Sequence, residues 1–376
     1  MNITYITEYF PYEGDQDITG GVEARCLNIS KRVSKKYNLT IITSWRTGQE
    51  RKQQYDKIKI IRVGPNHPYS NEGNIISRLK FSIAAYNLAK KLKADIIEGY
   101  NFVSYLPAYY AGKKLKAKKI ATYHEVWTGE WIKNKGFLVG VLGEIWERWI
   151  LSLKWDQIIS VSKFTAKKIV KNNISPKKIS VIYNGINIKD FNNEESKYKN
   201  PTIVSISRLT PKKRVNDLVN ATYLVKKQIP NINLVIIGKG EELDNLKRLV
   251  KKLRLEDNVK FTGYIGDSKE VTKILKKSHI LGLPSILEGF GLVLAEAMAS
   301  KTPYVCSDIE VLREVSQNQK GGLIFKKKDY KDLTNKILFL LKNKELYNIK
   351  KKECEKASKK YDWDNISKEV IAIYEK

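Results

Sequence analysis

The chain has 376 residues and a formal net charge of +29, from 69 Lys and Arg against 40 Asp and Glu. This length favours two domains, and the charge favours anionic partners such as phosphates, nucleic acid or an acidic membrane surface. Because the lysines are spread through almost every predicted helix, a lysine-rich solvated surface explains the charge equally well.

Three widely separated cysteines, Cys26, Cys306 and Cys354, form neither a disulfide framework nor a CxxC metal motif. We therefore expect a reducing compartment. The N-terminal MNITYITEYFP lacks the basic region and apolar core of a signal peptide. No apolar run approaches the roughly 20 residues that span a bilayer, since the richest, residues 136–155, is broken by Glu144, Glu147 and Arg148. We expect a cytoplasmic protein.

Short apolar runs alternate with amphipathic stretches along the first half of the chain. Near-continuous apolar strands separated by helices indicate a parallel sheet that is covered on both faces. A polar stretch without periodicity, residues 187–201, follows and predicts a linker. The predicted strands are NITYITEY, LTIITSW, IKIIRVG, ADIIEGY, KKIATYH, QIISVS and ISVIYN, with helices at VEARCLNISKRVSKKY and RLKFSIAAYNLAKKLK.

The same alternation restarts after the linker, with helices beginning near Val215 and Glu241. The sequence therefore predicts two doubly wound α/β domains, residues 1–190 and 200–359. Such sheets bind ligands at the carboxyl ends of their strands, so we expect the site in a cleft between the two. The predicted strands of the second domain are TIVSISRL, INLVIIGKG, VKFTGYI, HILGLPS, TPYVCSD and GGLIF.

Two motifs of the first domain follow predicted strands. TGGVEAR (19–25) places Gly21 at a helix start, where free amides attract anions, although a plain tight turn would need the same glycines. TYHEVW ends a strand at His124, a candidate functional residue whose alternative is a structural role. Neither TGGVEAR nor GKGEEL (238–243) is a GxGxxG fingerprint, so a simple dinucleotide-binding dehydrogenase has little support.

The second domain offers two cations where its first strand meets a helix. In SISRLTPKKRVNDLV, Arg208 ends the strand and Lys213 follows five residues later. Arginine binds an anion bidentately and lysine supplies a point charge, so together they suit a diphosphate. Lysine is so common in this chain that Arg208 is the stronger half of the prediction.

The segment SILEGFGLVLAEAMASKTPYVC (285–306) carries two carboxylates around Gly-Phe-Gly. Its helix has no polar face and is therefore predicted to be buried, and burying a carboxylate without a partner is costly. Gly289 and Gly291 leave amides free at the helix start. Glu288 and Glu296 are good acceptors for hydroxyl groups, so a sugar nucleotide, with polyols on both sides of a diphosphate, would satisfy them.

The Asp15-x-Asp17 pair has the Asp-x-Asp spacing of a known metal site, but it precedes the glycine loop instead of following a mid-domain strand. We expect no metal ion and no other cofactor.

EGFGLVLAEAMA resembles the Glu-x7-Glu signature of glycosyltransferase family 4, retaining enzymes with the two-domain GT-B fold. Its other motifs occur in the same order along nearly the whole chain. Two mild departures are Ser207, where the family usually has Gly before the Arg, and Asn187 in place of the Asp of NGID. The matching segments are TGGVE, TYHE, VSKFT, VIYNGI, SRLTPKK, IIGKGEE, VKFTGYI and GGLIF.

The resemblance implies a retaining, metal-independent glycosyltransferase, with hexosyl transfer as our first expectation. Arg208 and Lys213 would neutralise the diphosphate of the nucleotide sugar as it leaves, and Glu296 would bind the ribose. Glu288 would contact the transferred sugar. The remaining implied residues of the sugar-donor site are the amides of Gly289, Phe290 and Gly291, together with Leu292.

The resemblance also implies roles in the first domain, which handles the acceptor in this family. His124 would lie near the transferred sugar, and Gly21 near the phosphates and the acceptor. The C-terminal YDWDNISKEVIAIYEK resembles the helix that crosses back in this fold, so residues 360–376 are assigned to the first domain. The implied partners are a nucleotide-diphospho-sugar and a glycan or lipid-linked acceptor.

Two alternatives to the transferase remain open. A nucleotide-sugar 2-epimerase of the same fold would need an acid and a base in the cleft, and SRLTPKK argues against it. A basic nucleic-acid-binding protein should show a concentrated basic stripe or an aromatic stacking platform, and the sequence has neither.

The apolar stretch Gly136–Trp155 allows two interpretations. It packs on the sheet as core, or it docks at the cytoplasmic face of an anionic membrane without spanning it. The residues behind the second interpretation are Phe137, Leu138, Val139, Val141, Leu142, Trp146, Trp149 and Trp155, with Lys133, Lys135 and Lys154 beside them.

Overall fold

A computed structural model describes residues 1–14, 18, 20–69 and 74–376. The chain forms two compact units, one of Met1–Asn184 with Asp364–Lys376 and one of Gly185–Trp363. Each is a doubly wound α/β unit built on a parallel sheet, as the sequence predicts. The observed boundary falls earlier than the predicted one, because residues 185–199 belong to the second unit.

The first unit is built on a sheet in the order β3-β4-β2-β1-β5-β6-β7-β8 within the described part of the chain. Every pairing is parallel except that of β3 with β4. The elements are β1 (Asn2–Ile6), α1 (Gly21–Val33), β2 (Asn38–Trp45), β3 (Lys52–Tyr55), β4 (Ile58–Asn66), α2 (Ile75–Ala89), β5 (Ile96–Gly99), α3 (Tyr105–Leu115), β6 (Lys118–Tyr123), α4 (Trp131–Lys135), α5 (Phe137–Ser152), β7 (Gln157–Ser160), α6 (Lys163–Val170) and β8 (Ile179–Val181).

The second unit has a parallel sheet in the order β11-β10-β9-β12-β13-β14. The direction of winding reverses between β9 and β12, and ligands of such sheets bind beside this reversal. The elements are β9 (Thr202–Ile206), α7 (Val215–Lys226), β10 (Asn233–Ile237), α8 (Leu243–Lys252), β11 (Val259–Gly263), α9 (Ser268–Lys277), β12 (Ile280–Leu283), α10 (Leu292–Ala299), β13 (Tyr304–Ser307), α11 (Glu310–Val315), β14 (Gly322–Phe325), α12 (Tyr330–Lys342) and α13 (Lys344–Ser358).

The last helix, α14 (Trp363–Tyr374), returns the chain to the first unit. The hydroxyl of Tyr374 lies 2.7 Å from that of Tyr5 on β1 and donates a hydrogen bond to the buried Glu98 on β5. Lys118 Nζ donates to the carbonyl of Ile373 at 2.5 Å. The helix is therefore anchored in the interior of the first unit by hydrogen bonds as well as by apolar packing.

The polar stretch that predicted a linker is instead fastened to the second unit near the end of α9. Lys276 Nζ donates to the carbonyl of Asn193 at 2.8 Å, and the amide of Tyr198 donates to the carbonyl of Lys277 at 2.9 Å. Lys197 Nζ donates to the carbonyl of Ser278 at 2.5 Å. Polar side chains and amides fix this segment without apolar periodicity, which is why the linker prediction was wrong.

Among the described residues, no helix combines the length and the apolar character needed to cross a membrane.

Candidate functional site

Arg208 lies where the sequence predicts it, two residues beyond the carboxyl end of β9. The residues on both sides of it are bonded to β10 or its loop. The amide of Ser207 donates to the carbonyl of Ile237 at 3.1 Å, and that of Leu209 to the carbonyl of Lys239 at 2.9 Å. The backbone of Arg208 is thus fixed while its side chain is exposed at the edge of the sheet.

Two glycines that the sequence analysis did not assign to the site make this arrangement possible. Gly238 and Gly240 have φ angles of +141° and +158°. A Cβ on Gly238 would lie 1.9 Å from the carbonyl oxygen of Ser207, and one on Gly240 would lie 2.3 Å from that of Leu209. GKG is not a dinucleotide fingerprint. Because its two glycines have no side chains, the β10 loop can approach and hold the strand end that carries Arg208.

Lys213 and Glu288 are in direct contact at the same edge of the second sheet. Lys213 Nζ lies 2.6 Å from Glu288 Oε1, and both side chains are largely buried. The amide of Ile286 donates to the carbonyl of Lys212 at 2.9 Å, which ties the β12–α10 loop to the turn before α7. The sequence analysis assigned these two residues to different parts of a ligand and did not anticipate their ion pair.

The Gly-Phe-Gly segment forms the start of α10. Gly291 is the N-cap residue with φ of +83°, and a Cβ there would lie 2.8 Å from Leu312 Cδ2. Phe290 is buried and packs edge-on against Tyr361 with ring centroids 5.6 Å apart. Leu292 is the first residue of the helix. Since no side chain caps α10, its first amides are available to an anion or to a sugar oxygen.

Glu296 occupies the second turn of α10, whose inner face is buried as predicted. The carboxyl is half-buried, and no hydrogen bond or ion pair to it is found within the described part of the chain. Burial raises its pKa from 4.5 to about 7. The two carboxylates thus differ in their surroundings. Glu288 is paired with a cation, whereas no partner of Glu296 is found among the described residues.

The first unit presents Gly21 at the start of α1, the helix that follows β1. Gly20 is the N-cap residue and supplies no side chain, so the first amides of α1 are not capped. Gly21 is exposed, and a Cβ built on it would meet nothing within 4 Å. The glycine is therefore not required by packing inside the unit, and its open surroundings leave room for a ligand at the helix start.

His124 directly follows β6, as predicted. Its Nε2 is buried and has no hydrogen-bond partner among the described residues. Burial, and to a smaller extent the charge of Arg25, lowers its pKa to about 3. The imidazole is therefore neutral across the physiological range, which suits hydrogen bonding to a hydroxyl and excludes a role as a charged acid.

Arg25 is a buried cation that the sequence analysis missed. Its Nη1 donates to the carbonyls of Ile182 and Tyr183, at 3.1 and 2.7 Å, and to Asn184 Oδ1 at 3.0 Å. Its Nε and Nη2 are buried without a partner among the described residues. The sequence signal that could have identified Arg25 is its position in TGGVEAR, one helical turn after Gly21 on a helix face that is otherwise buried.

No cluster of His, Cys, Asp or Glu that could hold a metal ion occurs in the ranges that the structure describes. Asp15 and Asp17 lie outside those ranges, so the structure does not bear on them.

Two family models match adjoining parts of the chain. Residues 19–190 match the model described as Glycosyltransferase Family 4, and residues 187–361 match Glycosyl transferases group 1. The first match lies within the first unit apart from its last six residues, and the second falls within the second unit.

A named relative is the N-acetylgalactosamine-N,N'-diacetylbacillosaminyl-diphospho-undecaprenol 4-alpha-N-acetylgalactosaminyltransferase of Campylobacter jejuni. It is 28% identical over 59% of this chain and 60% of its own length. The chain thus spans only about three fifths of the length of this relative and of several other curated relatives that it matches.

Several solved structures match the whole chain. The sucrose-phosphate synthase of Thermosynechococcus elongatus has a TM-score of 0.83 at 19% identity, and the match covers 100% of this chain and 98% of that one. Anabaena HepE in complex with UDP-glucose has a TM-score of 0.78 at 17% identity, covering 100% and 99%. At these identities, the likeness establishes the fold.

Proposed function

Since the chain belongs to glycosyltransferase family 4, we propose that it transfers a sugar from a nucleotide-diphospho-sugar to a glycan or lipid-linked acceptor. In this proposal the transfer retains the configuration of the sugar and needs no metal ion. The protein works in the cytoplasm, at the inner face of the membrane. The chain is a glycosyltransferase of the GT-B fold, and these finer points are our inference from its residues.

The observation that carries the proposal is the set of charges at the reversal point of the second sheet. Arg208 is exposed at the end of β9, and the Lys213–Glu288 pair lies between the β9 and β12 loops. A diphosphate placed there would be held by two cations, of which Lys213 is already positioned by Glu288. As the bond to the sugar breaks, negative charge develops on the diphosphate, and these cations stabilise it more than they stabilise the bound sugar donor.

The carboxylates of Glu288 and Glu296 would accept hydrogen bonds from hydroxyl groups of the same ligand. Glu288 uses Oε1 to hold Lys213, and its other oxygen is left to accept from the transferred sugar. Glu296, which is half-buried and has no partner within the described ranges, would accept from the ribose. In the first unit, neutral His124 would hydrogen-bond the transferred sugar, and the open helix start at Gly21 would accommodate phosphate or acceptor.

The named relative supports the acceptor class, since its name describes transfer of N-acetylgalactosamine to a glycan on diphospho-undecaprenol. HepE was crystallised with UDP-glucose, which supports a nucleotide sugar as the donor. Neither the epimerase nor the nucleic-acid-binding alternative is favoured, because the named relative and both family models are transferases.

The first test identifies the sugar donor. A panel of UDP-, GDP- and ADP-sugars is screened by thermal shift, because a ligand that binds the folded state at 100 times its Kd adds about 2.7 kcal/mol of stability. We expect one nucleotide series to raise Tm. If no nucleotide sugar raises it, the proposal fails.

With the sugar donor known, Arg208→Ala and Lys213→Ala should each lower kcat at least tenfold, about 1.4 kcal/mol of transition-state stabilisation. Binding of the free nucleoside should hardly change, because these side chains act on the phosphates. Lys227→Ala, which removes an exposed lysine from the turn after α7, controls for net charge. Activity should survive EDTA, and activity lost to EDTA and restored by manganese would revive Asp15 and Asp17 as a metal site.

A further inference from the structure

Helix α5 in the first unit has a polar inner face. Glu147 is buried and accepts hydrogen bonds from the amide of Trp127 at 3.0 Å and from Nε1 of Trp131 at 2.7 Å. Glu144 accepts from the amide of Gly129 at 2.8 Å. Two carboxylates of α5 thus accept hydrogen bonds from residues 127–131, the segment that leads into α4.

Glycines complete the inner face of α5. A Cβ on Gly140 would lie 2.4 Å from Ile132 Cα, and one on Gly143 would lie 2.4 Å from Trp131 Cε3. Helix α4 therefore packs closely against α5, with its backbone against Gly140 and the indole ring of Trp131 against Gly143. Only near its carboxyl end does α5 bury apolar residues, namely Ile150 and Leu151, in the core of the first unit.

The outer face of α5 is apolar. Six large side chains recur at the i, i+3, i+4 and i+7 spacings of one helical face and point away from the buried residues. Each of them is between 38% (Trp146) and 78% (Leu138) exposed. This surface, which we call the α5 stripe, consists of Leu138, Val139, Leu142, Ile145, Trp146 and Trp149.

The polarity of α5 is therefore the reverse of that of a helix on a water-soluble surface. Burying glutamates and glycines while exposing aliphatic and indole groups is unfavourable in water, and a contiguous exposed apolar face marks an interaction surface. The sequence left open whether Trp146 and Trp149 are core residues. They are exposed in the described unit, whereas Trp155 is buried in its core.

The charges around the α5 stripe have one sign. Between Trp131 and Trp155, the charged side chains that are exposed are Lys133, Lys135, Arg148 and Lys154, all cationic, and of these Arg148 forms an ion pair with Glu144. The acidic residues of this stretch are Glu144 and Glu147, which turn inward. Indole rings and basic side chains around an aliphatic face are typical of helices that lie in the headgroup region of an anionic bilayer.

We propose that the α5 stripe is the surface by which this enzyme docks on an anionic lipid membrane, with α5 lying in the plane of the headgroups. Its 16 residues extend about 24 Å, which allows a flat orientation and falls short of the roughly 30 Å hydrocarbon core. This inference rests on the proposed function, because docking would bring the unit assigned to the acceptor to a lipid-linked acceptor. Apolar burial supplies the attachment, and the cations select the anionic leaflet.

The test is co-sedimentation of the whole protein with vesicles of phosphatidylcholine alone or with 30% phosphatidylglycerol. We expect binding to the anionic vesicles in 0.1 M salt, and partial but incomplete release in 0.5 M salt because apolar burial is not screened. Leu142→Gln combined with Ile145→Gln should lower the affinity for anionic vesicles at least tenfold. Both side chains are exposed, so the fold should be unaffected, which the Tm checks.

A matched control is Phe339→Gln with Ile349→Gln. It removes two exposed apolar side chains from lysine-rich helices of the second unit and should leave vesicle binding unchanged. Equal binding by wild type and the α5 variant would overturn the proposal, as would a wild type that ignores anionic vesicles in 0.1 M salt. A wild-type dimer that the α5 variant converts to monomer, without vesicle binding, would assign the stripe to a second copy of the chain and also overturn it.

The same preparations separate this inference from the proposed function. The α5 variant should keep the thermal shift with the nucleotide sugar, because the stripe lies outside the sugar-donor site. If vesicles bind but no nucleotide sugar shifts any variant, the proposed function fails while the membrane surface stands.

Discussion

Glu288 and Glu296, eight residues apart in one segment, illustrate what individual residues reveal. Sequence alone marks both as carboxylates in an apolar stretch. Only the structure separates them, because the partner of Glu288 is Lys213, which is 75 residues away along the chain. Glu296 has no such partner among the residues that the structure describes, and burial alone raises its pKa. Long-range pairing of this kind follows from the packing of loops and has no local sequence signal.

The raised pKa of Glu296 predicts a pH-dependent stability. The unfolded carboxyl ionises near pH 4.5 and the folded one near pH 7, so between these values the folded state binds more protons than the unfolded state. Stability therefore falls as the pH rises from 4.5 to 7 and stays lower above that. Glu296→Gln should remove this loss, gaining about 1–2 kcal/mol at pH 8 and little at pH 4.5, after allowance for partial solvent screening. Urea unfolding at both pH values measures it.

The same carboxyl should control affinity for the sugar donor. Ribose hydroxyls donate to the ionised form, so affinity should rise about tenfold from pH 6 to pH 8 and then level off. Glu296→Gln should bind more weakly and show a flat profile. An unchanged profile in this variant, with normal affinity, would remove Glu296 from the site.

At the level of elements, the β10–α8 loop positions the β9–α7 loop, and Gly238 is the point of closest approach. Gly238→Ala would place a methyl group 1.9 Å from the carbonyl oxygen of Ser207, so the strand end carrying Arg208 must move. We expect kcat to fall at least tenfold, since misplacing a charge that acts on the transition state costs rate. Steady-state kinetics with the identified sugar donor measures this.

Gly263→Ala is the control for backbone strain. Gly263 also has positive φ, +73°, but a Cβ there meets nothing within 4 Å. It should lower stability by about 1–2 kcal/mol while kcat is kept. If both variants lose activity equally, strain and not the position of Arg208 explains the loss.

Helix periodicity predicted the apolar content of α5 correctly but not which way it faces. An apolar stripe packs inward by default, and on that basis Trp146 and Trp149 are core residues. Here the inward face is taken by glutamates that cap free amides and by glycines that admit α4. Those partners are set by the tertiary arrangement of the 127–135 segment, so no window of the sequence predicts them.

At the level of the whole molecule, the doubly wound class was predictable because buried parallel strands form continuous apolar runs that alternate with helices. All thirteen predicted strands coincide with strands of the structure. The strand that the sequence missed, β3, is the polar KQQY at a sheet edge, where one side needs no apolar cover. The linker prediction for residues 187–201 was wrong because lysine side chains and backbone amides fix this segment to the second unit, and such contacts leave no apolar pattern in the sequence.

The anchor of α14 predicts a stability effect at the far end of the chain. Tyr374→Phe removes the hydroxyl that donates to buried Glu98, a carboxyl that also accepts from Thr122. We expect a loss of about 1–3 kcal/mol, measured by urea unfolding. Tyr37→Phe removes an equivalent hydroxyl from the exposed carboxylate of Glu375 and should cost less stability than Tyr374→Phe, because water screens this exposed pair. Equal losses would show that burial does not strengthen the Tyr374 anchor.

The return of α14 also has a consequence for synthesis of the chain on the ribosome. Glu98 and Tyr5 are made early, yet Tyr374 follows only after the entire second unit has been translated. During that interval the first unit holds a buried carboxyl that lacks one of its hydrogen-bond donors. A chain that ends at residue 363 would therefore contain the whole second unit, but its first unit would lack residues 364–376. The order of folding would then be the reverse of the order of translation.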